Sequence, residues 1–225
     1  MPTAVSSTPD AGAPATSLRE RLLNVFASPG DVFEEVVAQP HSRINWLVPT
    51  LLVCFFGVGS LLVSPVGGTA AIVESATNPD QAPSGSVSLL SALTVVASAF
   101  VGTFWTAFVL WFIGRGFLKV RFGFMKTLEV AGLSGMILAL DTVVTSLLTL
   151  ASGDATTRPA LSLFIRSSGS SDTLHSSLAA LNVFHLWTTA VLAVGLSKLA
   201  GVSIKEGAFW VFGYWLALRL ALGCF

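Results

Sequence analysis

Apolar residues follow two rhythms along this chain. Between residues 18 and 40 they recur at helical spacing among charges, and beyond residue 44 they run almost unbroken over long stretches. An α-helix needs about 20 predominantly apolar residues to cross about 30 Å of hydrocarbon. Five stretches meet that need, beginning at Asn45, Ser88, Leu128, Ser177 and Ala208. The last, AFWVFGYWLALRLALGCF, is short, and the second is long enough to tilt. The pattern therefore predicts an all-α, polytopic membrane protein with five transmembrane helices over residues 44–223.

The amphipathic part in front reads as two short helices. Ser17 and Glu20 have the S-x-x-E spacing of a capping box, so a helix is expected from Leu18, with Leu22, Val25 and Phe26 on one side. Ser28 then stands as N-cap, Pro29 occupies the first helical position, and Asp31 complements the helix dipole. Val32, Phe33, Val36 and Val37 share one face, Glu34 and Glu35 lie on the other, and Pro40 blocks continuation. Residues 17–40 thus form interfacial helices rather than a span. Because the second is acidic, anionic lipid does not attract it. It is expected to dock on protein, with Phe33, Glu34 and Glu35 meeting the basic link that carries Arg115, Lys119, Arg121 and Lys126.

Composition agrees with the membrane reading. Of 225 residues, 53% are hydrophobic and 11% charged, and mean hydropathy is +0.77, which excludes an ordinary soluble domain. Twelve basic and twelve acidic residues cancel, so no global field favours nucleic acid. Placement carries the information instead. Arg19, Arg21, Arg43, Arg115, Lys119, Arg121, Lys126, Lys198 and Lys205 fall on one side of the predicted spans, and Arg158 and Arg166 on the other. The positive-inside rule then puts the N-terminus in the cytoplasm and the C-terminus outside, as in a multi-pass protein of a bacterial inner membrane.

Residues 1–16 lack the basic and apolar regions of a signal peptide and read as a disordered tail. The two external links, residues 67–86 and 152–173, are rich in Gly, Ser, Thr, Asp and Pro, as loops are, and ALSLFI in the second has the makings of a short surface helix. Cys54 and Cys224 have neither metal spacing nor a disulfide geometry to suggest. No zinc, phosphate-loop or dinucleotide motif occurs, so no cofactor is expected.

Several of these stretches resemble a known family. SPGDVFEEV ahead of a proline-containing first span, a basic link running into FGFMKTLEVAG, and LNVFHLWTTAVLAVGLSKLAGVSIKEGAFWVFGYWLA are similar to the bacterial branch of the Yip (Ypt/Rab-interacting protein) family. Phe184, Trp187, Gly195 and Lys205 belong to that likeness, which covers about residues 18–222. It implies a five-span fold and a non-enzymatic scaffold or adaptor that binds membrane components or organises the bilayer. Eukaryotic members look like Rab adaptors with a D-L-Y-G-P motif. Here the single tyrosine is Tyr214, so the motif is absent and Rab binding is not implied.

Candidate chemistry is confined to a few polar residues within the spans. Counted at 1.5 Å per residue, Asp141 stands about 22 Å from Lys126, His185 about 20 Å from Lys198, and Arg219 about 21 Å from Lys205. Three helices thus bring acid, imidazole and base to one layer, with Ser134 and Thr145 on the Asp141 face. Ionisable groups within a span are expensive, and by default they mark a functional site. One reading is a channel or transporter site for an ion or small solute; the other is a neutralised pair that fixes the bundle. Gly132, Ser134 and Gly135 match the G-x-S-G of rhomboid proteases, but Ser134 lies about 8 Å short of the His185 level, out of reach of a general base. Glu129, at the edge of its span, reads as a solvated carboxylate. Small residues at every fourth position (Thr94, Ser98, Gly102, Thr106; Gly213, Ala217, Ala221) predict close helix contacts or, alternatively, self-association. The expected partners are the lipid bilayer and other membrane proteins or a second copy.

Overall fold

The computed structural model describes residues 16–63, 89–153, 159 and 182–221. Residues 1–15 of the tail, the first long link, most of the second with ALSLFI, the first residues of the predicted fourth span and Cys224 lie outside them. Among the described residues there are seven α-helices: α1 Leu18–Ala27, α2 Pro29–Ala38, α3 Ile44–Val63, α4 Leu89–Gly116, α5 Phe124–Ser152, α6 Val183–Ala200 and α7 Ile204–Ala221. Four of them, α3 to α6, are long and apolar enough to cross a membrane. The 18-residue α7 carries Lys205, Glu206 and Arg219 and falls short of that measure by composition.

Helix α5 is the central post, packed against α3, α4 and α6 and against both short helices, while α7 leans on α6. Its first half is buried on every side: Thr127 to Ser134 are all covered, as expected of a helix enclosed by neighbours. The core gathers at the same end, where Val25, Val32, Phe33 and Val36 of the short helices meet Leu110, Val130, Leu133 and Leu196 of the long ones. We call this the proximal end and the opposite one distal.

Local chemistry explains the short helices. Ser17 accepts from the Glu20 amide and Glu20 from the Ser17 amide, which completes the capping box. Ser28 stands at the start of α2, but its side chain makes no cap bond, because its φ of −133° and ψ of 59° are not those of a capping residue. The turn is held instead by the Ser28 amide donating to the Asn24 carbonyl. Phe33 is fully buried, whereas Val37, expected on the same face, is 38% exposed, since the apolar stripe of so short a helix covers only one turn of contact.

Glycines, Gly132, Gly195 and Gly207 among them, set how closely the long helices approach. A Cβ at Gly132 would lie 2.4 Å from the Trp46 Cα on α3, and one at Gly195 would lie 2.3 Å from a Val130 methyl on α5. In lipid, such backbone proximity substitutes for the missing hydrophobic drive. The fourfold repeats do not serve this purpose: Gly102 and Gly213 face open space within 4 Å. Spacing alone misplaced these contacts, because it cannot say which helix face meets a neighbour.

Candidate functional site

Asp141, Thr145, His185 and Arg219 come together at the distal end. Asn182, the N-cap of α6, holds the Phe184 amide through its side-chain oxygen. That fixes its Nδ2, which donates to both Asp141 oxygens on α5, at 3.1 and 3.2 Å. Thr145, one turn along α5, adds a contact of 3.4 Å to the same carboxylate. His185 Nε2 stands 3.7 Å from Asp141 Oδ2, beyond hydrogen-bond length. Its Nδ1 lies 3.4 Å from Arg219 Nη2 on α7. A guanidinium only donates, so Nδ1 is the acceptor in this contact and the ring proton of the neutral form sits on Nε2, facing Asp141. Arg219 also lies over the Trp215 ring, 5.2 Å from its centroid.

Two features change the meaning of that layer. It stands at the first turn of α6, not in mid-helix, and the His185 side chain is 44% exposed. Ser134 is not part of it: fully buried, its hydroxyl donates to the Val130 carbonyl of its own helix at 2.8 Å. The G-x-S-G match therefore reflects close packing at Gly132 and a serine engaged with its backbone. Asn182 was missed because the span predicted from Ser177 placed it within the apolar run; its suitability as an N-cap was the available signal.

A second polar assembly, at the proximal end, is more deeply buried. Arg21 on α1, only 7% exposed, donates to Glu35 Oε1 at 2.9 Å, to the Gln39 side-chain oxygen, and to Asn45 Oδ1 at 3.3 Å. Asn45 passes the connection on, donating to Glu129 Oε2 across 2.7 Å. Glu129 also accepts from the Ser42 amide at 3.0 Å and pairs with Lys126 at 3.4 Å. Instead of being solvated, Glu129 is 1% exposed. Its charge is tolerated because two hydrogen bonds and a cation surround it. No signal in the sequence separated it from an edge carboxylate, since its hydrogen-bond donors, Asn45 and the Ser42 amide, lie more than 80 residues away in the chain.

The acidic helix is held by cations other than those expected. Glu34 pairs with Lys198 on α6, and that contact lowers its carboxyl pKa. Burial raises the Glu35 pKa, but hydrogen bonds from Thr16 and Arg21 outweigh it and leave the group below the ordinary carboxylate value. Of the basic link, Lys126 alone reaches α2, donating to the Val36 carbonyl. Arg115 instead covers Trp111, 4.9 Å from the ring centroid, and Lys119 and Arg121 point outward. The reason is geometric: α2 lies along α6 and α5, beside Lys198 and Lys126.

Between α4, α6 and α7 a cavity of about 180 Å³ is walled mainly by apolar residues, among them Trp105, Leu110, Val211 and Trp215. Trp105 donates to the Tyr214 hydroxyl at 3.0 Å across it. Among the described residues, no three potential metal ligands gather.

The sequence that folds as a docked pair of short helices ahead of four long apolar ones matches a family profile over most of its length: the Yip1 domain, over residues 23–225. The chain belongs to the Yip1 family. It is accordingly a multi-pass membrane protein. No curated protein and no solved structure matched it in the parallel comparisons. The Yip1 domain begins within α1, so Glu35, Asn45 and Glu129 lie inside it and Arg21 just ahead. Of the Yip-like residues quoted above, Gly195 packs against Val130 and Phe33, and Trp187 meets Phe26 edge-on at 5.8 Å. These Yip1 positions hold the short helices on the bundle.

Proposed function

We propose that this protein is a non-enzymatic membrane scaffold or adaptor of Yip type that presents α1 and α2 as a fixed platform on the cytoplasmic face of a bacterial inner membrane. The observation that carries this reading is the buried ladder from Arg21 through Asn45 to Glu129, together with the fully buried Phe33. An autonomous tether would not bury a charge network in its own bundle. In this reading α7 is a fifth span, and the basic residues beside α1, α4, α5, α6 and α7 set the N-terminus inside and the C-terminus outside. The platform offers other membrane components the outward side of α1, where Leu23 is 59% exposed. A photo-crosslinker at Leu23 is expected to capture a discrete membrane partner in cells, and the yield is expected to fall when Phe33→Ala loosens the platform. Equal yields from both would count against a fixed platform.

The Asp141, His185 and Arg219 layer favours a second reading, a small channel or transporter. Proteoliposome flux separates the two. A pH-dependent flux abolished by Asp141→Asn would replace the scaffold by a transporter.

A further inference from the structure

The link between α4 and α5 has a regular design that the docking of α2 leaves unused. From Phe117 to Met125, exposed and half-buried residues alternate strictly. Leu118 and Phe122 pack on the core, and Phe122 fills the space beside Gly114, where a Cβ would meet its ring at 2.1 Å. The Leu118 and Val120 amides donate to the Ile113 and Gly114 carbonyls at the end of α4. Lys119 takes a left-handed backbone, φ 56°, a conformation that L-residues adopt at a cost when their surroundings impose it. The inward residues therefore hold this link in one shape, and the outward set is Phe117, Lys119 and Arg121.

Three carboxylates of the proximal end are engaged elsewhere, and Glu206, one turn from Trp210, makes no ion pair with the link. Glu34 is held by Lys198, Glu35 by Arg21, and Glu129 by Asn45 and Lys126. Among the described residues, neither Lys119 nor Arg121 pairs with a carboxylate. Arg115 adds a third exposed cation in the last turn of α4. Apolar side chains flank the cations: Phe112, Phe117 and Met125 are each about half exposed, at 52%, 51% and 51%. Phe117 is also anchored by stacking on Trp210 of α7, with centroids 4.4 Å apart. Cations among exposed aromatics, directly at the end of long apolar helices, match a surface of phosphate headgroups above hydrocarbon.

We infer that the outward face of this link, Arg115, Lys119 and Arg121, is a binding surface for anionic phospholipid headgroups, with Phe112 and Phe117 inserted beside them. The inference is independent of the scaffold reading. The surface selects anionic over zwitterionic lipid because no carboxylate among the described residues pairs with these cations. Each cation contributes about a fivefold preference, so Lys119 and Arg121 together give roughly 25-fold.

The full-length protein, purified in detergent, is titrated with fluorescent phosphatidylglycerol and, separately, phosphatidylcholine. The wild type is expected to prefer phosphatidylglycerol, and Lys119→Gln with Arg121→Gln to remove most of that preference without changing the affinity for phosphatidylcholine. Lys119→Arg with Arg121→Lys retains it. Lys119→Gly separates charge from fold, because glycine relaxes the left-handed backbone: the variant should unfold no lower than wild type yet bind phosphatidylglycerol about fivefold more weakly. Equal affinity of the wild type for the two lipids, or unchanged selectivity in the double glutamine variant, overturns the proposal. So does crosslinking from position 119 to an acidic segment of a second copy in place of lipid.

Discussion

Asn45 donates to Glu129 at 2.7 Å while accepting from Arg21 at 3.3 Å, so a single amide on α3 joins a buried cation on α1 to a buried carboxylate on α5. It adds to the ion pairs that Arg21 makes with Glu35 and Glu129 makes with Lys126. Removing one partner of such a pair strands the other in low dielectric, which costs about 3–5 kcal/mol. Glu129→Ala is therefore expected to lower the thermal unfolding midpoint in detergent strongly. Asn45→Ala should cost about 1–3 kcal/mol. Asn45→Asp should be worse than Asn45→Ala, because it sets a second carboxylate beside Glu129. A midpoint for Glu129→Ala within error of wild type would show that the ladder does not hold the bundle.

Phe33 is the main apolar anchor of α2. Truncating a fully buried phenylalanine costs about 3–5 kcal/mol in a core, more than a two-helix attachment readily absorbs. Phe33→Ala should release α1 and α2 first: limited proteolysis is expected to cut within residues 18–40 while α3 to α6 stay protected. Val37→Ala, at a position 38% exposed, should leave the cleavage rate near that of wild type.

Docking of the short helices should weaken in acid. Glu35 has its folded pKa below the ordinary 4.5 through the hydrogen bonds described above, and Glu34 is lowered by Lys198. A depressed carboxyl contributes stability that is complete above the unfolded value and is lost as pH falls through the folded one. Protease protection of residues 18–40 should therefore hold from neutral pH down to about 4.5 and decline below it. Glu35→Gln should weaken docking at neutral pH and flatten that decline. A loss centred near pH 6.5 would assign the effect to a histidine instead.

The glycine at the contact between α3 and α5 and the glycines of the fourfold repeats should respond oppositely to substitution. Gly132→Ala drives a methyl group against the Trp46 backbone, and overpacking of this kind costs about 1–3 kcal/mol. Gly102→Ala and Gly213→Ala meet nothing within 4 Å and gain helix propensity, so each should be neutral or stabilising by up to about 1 kcal/mol. Unfolding midpoints of the three variants compared in one detergent test this directly.

The sequence by itself determined the helices and the family. Long apolar runs mark α3 to α6 because lipid offers backbone groups no other partner, and the Ser17–Glu20 box marks the start of α1 because capping is local. The layer of Asp141, His185 and Arg219 was also legible, since helical rise is constant and all three are counted from cations at the proximal end. Which groups meet across helices was decided by tertiary structure alone. Glu129 became a buried ligand of Asn45, Glu34 found Lys198 in place of the basic link, and close approach occurred at Gly132 and Gly195 instead of Gly102 and Gly213. Period and composition fix a helix and its depth. Its rotation and its neighbours follow from how all the helices pack at once, and that alone determined which cations were left to face outward.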